Sequence, residues 1–281
     1  MERLIEPFTF EFFRNAMLIA VLAGALCGLV GTYVVLRGMS YIGHGLSHAI
    51  FGGAVASAAI SINPYVGAGI WGFTAAMLIH GVSRKRTIGA DAAIGVVTSA
   101  SFAIGIAIIS VVGGFTDFES LLFGDVLGVT TTDVIVVALV ALATAAAIFA
   151  RYRQLLFTTF DPEVAEVSGV NTRMVDATMA VILAATITAT MYVVGVTLIA
   201  AVLVIPPVIG RLLTDSFHRM LWISVITGAV CGFVGVYLSY HLDWSSGATV
   251  VITASIVFAI AYAVSALRRR TSMSAAAAEV H

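Results

Sequence analysis

Lysine is almost missing from this 281-residue sequence, and charge of either sign is scarce: Asp, Glu, Lys and Arg together make up 10% of it. A soluble domain is about a quarter charged, so there is too little ionic surface here for a water-facing molecule. The single lysine, Lys85, stands between Arg84 and Arg86, which excludes a Gly-Lys-Ser/Thr phosphate loop and with it an ATPase of that class within this chain. Only two cysteines occur, Cys27 and Cys231, both inside apolar stretches where a thiol behaves as a small hydrophobe. No disulfide framework follows. Nearly all acids fall in loops or at segment ends, against the buried carboxylate chain that a proton-coupled carrier uses. The apolar segments hold no serine-histidine-acid arrangement and no metalloprotease motif. The first fifteen residues carry Glu2, Glu6, Glu11, Arg3 and Arg14 without a small-residue cleavage site, so a removable signal peptide is not expected.

Apolar residues are what remain, at 60% of the chain with a mean hydropathy of +1.06. That composition predicts an all-α, polytopic membrane helix bundle. Nine stretches reach or approach the length of about 20 residues that spans about 30 Å of hydrocarbon: 16–36, 44–62, 65–82, 92–112, 134–150, 177–195, 196–213, 220–240 and 248–267. The sixth and seventh run together in hydropathy and are divided because their sum is too long for one span. Residues 1–270 form one transmembrane domain, and 271–281, with four consecutive alanines, read as a disordered tail. Cytoplasmic loops collect Lys and Arg. A C-terminus inside puts Arg37, Arg84-Lys85-Arg86, Arg151, Arg153, Arg173, Arg211, Arg219 and Arg268-Arg269-Arg270 in the cytoplasm, twelve of the fourteen basic residues. With nine spans the N-terminus is outside, and the loop around Asp117, Glu119 and Asp125 is an outer one.

Three stretches carry local information. Gly24-Ala25-Leu26-Cys27-Gly28 is echoed by Gly228-Ala229-Val230-Cys231-Gly232, and small residues four apart let helix backbones approach closely in lipid. Pro206-Pro207 interrupts the seventh span, which predicts that this span lines a pathway or packs at the bundle core, a simple kink being the plainer alternative. In the loop 151–176, Asp161 is a ready N-cap, Pro162 a first helical residue, Glu163 a favourable charge at the positive helix end, and Gly169 a C-terminal stop. An isolated helix of about seven residues is marginal, so this one must pack, either on the protein's own spans or on a partner beneath the membrane.

His44 and His48 open the second span. Four residues apart on a helix, they share one face and can grip one transition-metal ion through two nitrogens. Two ligands from one chain are too few for a closed site. A second copy of the chain or a deliberately weak site would reconcile the count, and polar packing at a helix end is the alternative.

Several separated motifs then line up. Leu36-Arg37-Gly38-Met39-Ser40, Gly43-His44-Gly45-Leu46-Ser47-His48-Ala49, Asp91-Ala92-Ala93-Ile94-Gly95, Leu122-Phe123-Gly124-Asp125, the 161–169 loop, Val204-Ile205-Pro206, and Leu238-Ser239-Tyr240 with Ser246-Gly247-Ala248 occur in an order and spacing that resembles the membrane permease of metal-type ABC importers. The resemblance implies a homodimer around a central path, importing manganese, zinc or iron, with no permanently bound cofactor. It implies as partners a separate cytoplasmic ABC ATPase dimer and an extracytoplasmic metal-binding receptor, in the cytoplasmic membrane of a prokaryote, with surrounding lipid and no nucleic acid. The chain would then be a transport subunit and not an enzyme. Asp161, Pro162, Glu163, Ala165 and Gly169 would belong to the helix that docks on the ATPase, and His44 and His48 to the metal path. The family's usual motif has aspartate where His44 stands. A permease for metal chelates, siderophore or cobalamin, is the competing reading.

Overall fold

A computed structural model describes residues 6–83, 90–112, 118–126 and 128–278, and all regular structure among them is helical. After a short 3-10 turn at Glu6–Thr9 come α1 (Glu11–Leu36), α2 (Ser40–Ala59), α3 (Pro64–Ser83), α4 (Ala90–Val112), α5 (Phe118–Phe123) and α6 (Thr131–Ala150). There follow α7 (Tyr152–Phe160), α8 (Pro162–Val167), α9 (Thr172–Val194), α10 (Ile199–Leu213), α11 (Phe217–Leu242) and α12 (Ser246–Ala278). Among the described residues, six helices are long and apolar enough to cross a membrane, namely α1, α4, α6, α9, α11 and α12, while Pro64–Ile79 and α10 are shorter apolar helices. The Arg84-Lys85-Arg86 cluster and Asp117, on which the orientation expectation leans, lie outside the described residues, as do Glu2 and Arg3.

The bundle is assembled around α1, whose side chains from Phe13 to Val34 are mostly buried, whereas α4 and α6 keep broad exposed flanks. Against it, running the opposite way, lies α11. A Cβ placed on Gly24 would strike the Gly228 carbonyl, one on Gly28 the Ser224 carbonyl, and one on Gly232 the Ala20 carbonyl. The two glycine-rich stretches noted in the sequence are therefore the two sides of one seam. Backbone meets backbone there, and dispersion between closely packed main chains replaces the hydrophobic drive that lipid cannot supply.

Two expectations about α10 divide. The break from α9 is real: Gly195 ends α9 at φ +85, where the mirror-image backbone suits glycine, and the helix resumes at Ile199. The irregular backbone is satisfied inside the protein. Val196 N–H donates to the Leu121 carbonyl at 3.1 Å, and Thr197 donates to Leu122 from its N–H at 3.2 Å and from its hydroxyl at 2.6 Å. Pro206-Pro207, by contrast, does not interrupt the helix, which is continuous through both, and both rings are buried. Pro207 has no N–H for the carbonyl of Leu203, and that carbonyl is aimed at Gly31 of α1, where a Cβ would collide with it. The missing donor is accommodated by close approach of a neighbouring helix, so the pair packs α10 on α1.

At the C-terminus α12 remains helical through Ala278, into the stretch expected from sequence to be disordered, consistent with the helix propensity of its alanines. Glu279, Val280 and His281 lie outside the described residues.

Candidate metal path and docking helix

Glycine sets the geometry around the two histidines. α2 and α4 approach through Gly45, which abuts Ile94 and Thr98, and through Gly52, which abuts the Ser101 carbonyl. His44 immediately precedes the first of these contacts, and His48 lies between the two. His44 is exposed and His48 half-buried; their ring centroids are 4.8 Å apart at 79°, so the spacing does bring both imidazoles to one face. His48 rests edge-on against Phe102 at 5.1 Å. Both rings line a cavity of about 290 Å³ with Tyr41, Ile94, Thr98 and Phe102. That volume exceeds several water molecules at about 30 Å³ each, so an ion could lie there with part of its hydration shell. No third His, Cys, Asp or Glu joins them among the described residues. One chain thus offers two imidazole nitrogens, an arrangement that can hold a transition-metal ion only briefly unless a second chain contributes.

At the end of the bundle where α1 stops, the short helix reads as its sequence suggests. Asp161 Oδ1 accepts from the Val164 N–H at 3.0 Å, and Pro162 takes the first helical position. Gly169 has φ +84, with its N–H donating to the Glu166 carbonyl at 3.0 Å and Val170 N–H to Ala165 at 3.0 Å, a closed C-terminal turn. Asp161, Pro162, Glu163 and Gly169 are all exposed. Ala165 is not: it is 0% exposed and packs inward, so the outer surface of this helix is made of other residues. Val167 at 91%, Phe160 at 61% and Val164 at 49% exposure form an apolar surface beside Glu163 and Glu166.

A further residue, read from sequence only as a basic charge and a member of the Leu36–Ser40 motif, was not expected to hold helices together. Arg37, its side chain 8% exposed, pairs with Asp176 at 3.0 Å across 139 positions and donates also to Thr158, Thr159 and the Leu155 carbonyl. Burial pulls the guanidinium pKa below its ordinary value, and the Asp176 charge opposes this. A cation between Leu36 and Gly38 at a helix end was the available signal; its partners could not be read locally.

The chain is an apolar helical bundle with two imidazoles in a notch between helices and a short capped helix exposed at one end, and its similarity to known proteins makes it a membrane transport permease. The chain belongs to the ABC 3 transport family, whose profile matches residues 9–265. It is 35% identical over 258 residues to the manganese transport system membrane protein MntB of Synechocystis sp., covering 92% of this chain and 84% of that one. A probable iron transport system membrane protein of Haemophilus influenzae is 34% identical over 267 residues, covering 95% and 98%. Among solved structures, a chain of PsaBC from Streptococcus pneumoniae in complex with Fab superposes at a TM-score of 0.86 with 31% identity, over 92% of this chain and 94% of that one.

Proposed function

We propose that this chain is the transmembrane permease of an ATP-driven importer of divalent transition-metal ions, manganese, iron or zinc, and that His44 and His48 line the path the ion follows. The observation that carries the reading is the imidazole pair lining a cavity between apolar helices, in a family whose members named above are manganese and iron transport proteins. As a transport subunit it leaves ATP hydrolysis to a separate ATPase pair, which docks on the surface of α8, and it receives the ion from an extracytoplasmic receptor. Two copies meet with their His44–His48 faces toward a common axis, giving up to four nitrogens to one ion. Binding at such a site is transient, as transport requires.

The six long apolar helices, the two shorter ones and α2 make nine spans, with the N-terminus outside and the C-terminus in the cytoplasm of a prokaryotic cell. Ring contacts of Phe217 with Tyr33, Tyr152 and Phe160, and the Arg151–Thr178 hydrogen bond, gather the ends of α1, α7, α9 and α11 that carry Arg37, Arg151, Arg153, Arg173 and Arg219, supporting that side as the basic, cytoplasmic one. A chelate brings its own ligands and has no use for paired imidazoles, so the chelate-importer alternative is not favoured. Proteoliposomes holding the permease, its ATPase and its receptor should accumulate radioactive manganese, iron or zinc only with ATP inside the ATPase compartment. Uptake confined to ferric siderophores or cobalamin would overturn the assignment.

A further inference from the structure

We infer that Arg37 is the positioning residue through which movement of the docking helix α8 reaches the histidine pair on α2, an inference that rests on the importer reading above. Arg37 follows the last residue of α1, and α2 begins three residues later at Ser40. His44 lies about 6 Å farther along that helix at 1.5 Å per residue. The guanidinium donates from Nε to Thr159 Oγ1 at 2.9 Å, and from Nη2 to Thr158 Oγ1 at 2.6 Å and to the Leu155 carbonyl at 3.4 Å, all on α7. Nη1 is held by Asp176 Oδ1 of α9 at 3.0 Å. Thr158 and Thr159 sit in the last turn of α7, where a cation is favoured by the helix dipole. α7 in turn is joined to α8 by a single residue: Asp161 N–H closes α7 on the Phe157 carbonyl at 2.9 Å, while its carboxylate caps α8. A push on α8 is a push on α7.

Pro162 of α8, Met39 and, from α2, Ile42 and Leu46 all line one cavity of about 370 Å³, together with Arg37, Thr158, Thr159 and Asp176. Where apolar side chains border open space they transmit little force, and the bonded link beside that space is the guanidinium with its acceptors on α7 and α9. The guanidinium is shielded while Asp176 is partly exposed, and a largely buried cation left without its partner is costly, which keeps it paired. Lysine could not replace it, since a compact ammonium has three donors and cannot reach four acceptors spread over two helices.

The test uses the assembled permease, ATPase and receptor in proteoliposomes with Mn²⁺ as the probe, comparing the unsubstituted chain with Arg37→Lys, Asp176→Asn, and the double substitution Thr158→Val, Thr159→Val, which leaves the ion pair in place should the charged variants fail to assemble. Expected is an intact complex with basal ATP hydrolysis retained, while Mn²⁺ imported per ATP hydrolysed falls by about 2- to 30-fold, the span of energies by which residues along a coupling network act. Arg37→Lys combined with Asp176→Asn should lower the ratio no further than Arg37→Lys alone, since both break one link. An unchanged import-to-hydrolysis ratio in an intact complex overturns the inference, as does a proportional loss of both activities with loss of assembly in all three variants. Absence of any ATP-dependent Mn²⁺, iron or zinc uptake by the unsubstituted complex overturns the importer reading itself, and that control separates the two failures.

Discussion

His48, half-buried against Phe102, is held in its rotamer by a neighbour, whereas His44 is exposed and free to turn toward a partner ligand. The more fixed ring should matter more. His48→Ala is expected to cut uptake by about 10- to 100-fold, the range seen when even indirect metal contacts are lost, with expression and ATPase association unchanged. His44→Ala should cost less for some ions, and His44→Asp should retain transport while shifting preference toward manganese, a harder ion that suits a carboxylate. Radioactive zinc, manganese and iron uptake in the three variants decides it, and unchanged rates and selectivity would reduce the pair to packing. The pair itself was readable because helical spacing is a local property. Arg37 was not, because its partners Asp176, Thr158 and Thr159 are more than a hundred residues away, and nothing in Leu36-Arg37-Gly38 states which helix will lie beside it.

Among the elements, α8 shows how far local rules reach. Its caps at Asp161 and Gly169 follow from side-chain and backbone chemistry within four residues, and both were expected from sequence. Which side of six residues turns inward depends on what they pack against, and that burial of Ala165 was beyond a sequence with no room for a helical period. Two substitutions should therefore behave differently. Val167→Glu, on the exposed face, should reduce co-purification of the ATPase with little change in the permease's own melting temperature. Ala165→Glu places a charge where there is no exposed surface and should destabilise the permease alone by about 1 to 3 kcal/mol, read as a lower melting temperature in detergent without any partner. Pro206-Pro207 illustrates the reverse limit: proline predicts a lost hydrogen bond, but whether the helix breaks depends on what meets the freed carbonyl, here Gly31. At the α1–α11 seam, Gly228→Val would drive two methyl groups into the Gly24 carbonyl and should leave little folded protein in size-exclusion profiles.

For the whole molecule, orientation is the remaining quantity that sequence statistics address directly. A cysteine introduced at Ser245, at the start of α12, should be labelled by an impermeant maleimide on intact cells, and one at Ser83, beside the basic cluster, only after permeabilisation; equal labelling of both from outside would reverse the proposed topology. The six long apolar helices were legible because lipid demands them. Their neighbours were not, since every apolar surface suits lipid equally well until small residues allow two backbones to touch. That has a consequence in time. The glycine face of α1 is covered by α11, whose matching residue, Gly228, is made 204 positions after Gly24. At about 5 to 20 residues per second, α1 waits some tens of seconds in the bilayer with a groove of bare backbone and no partner. Nascent chains halted before Phe217 should accordingly be the ones that membrane quality-control proteases remove first, and the last third of the gene decides whether the first helix survives.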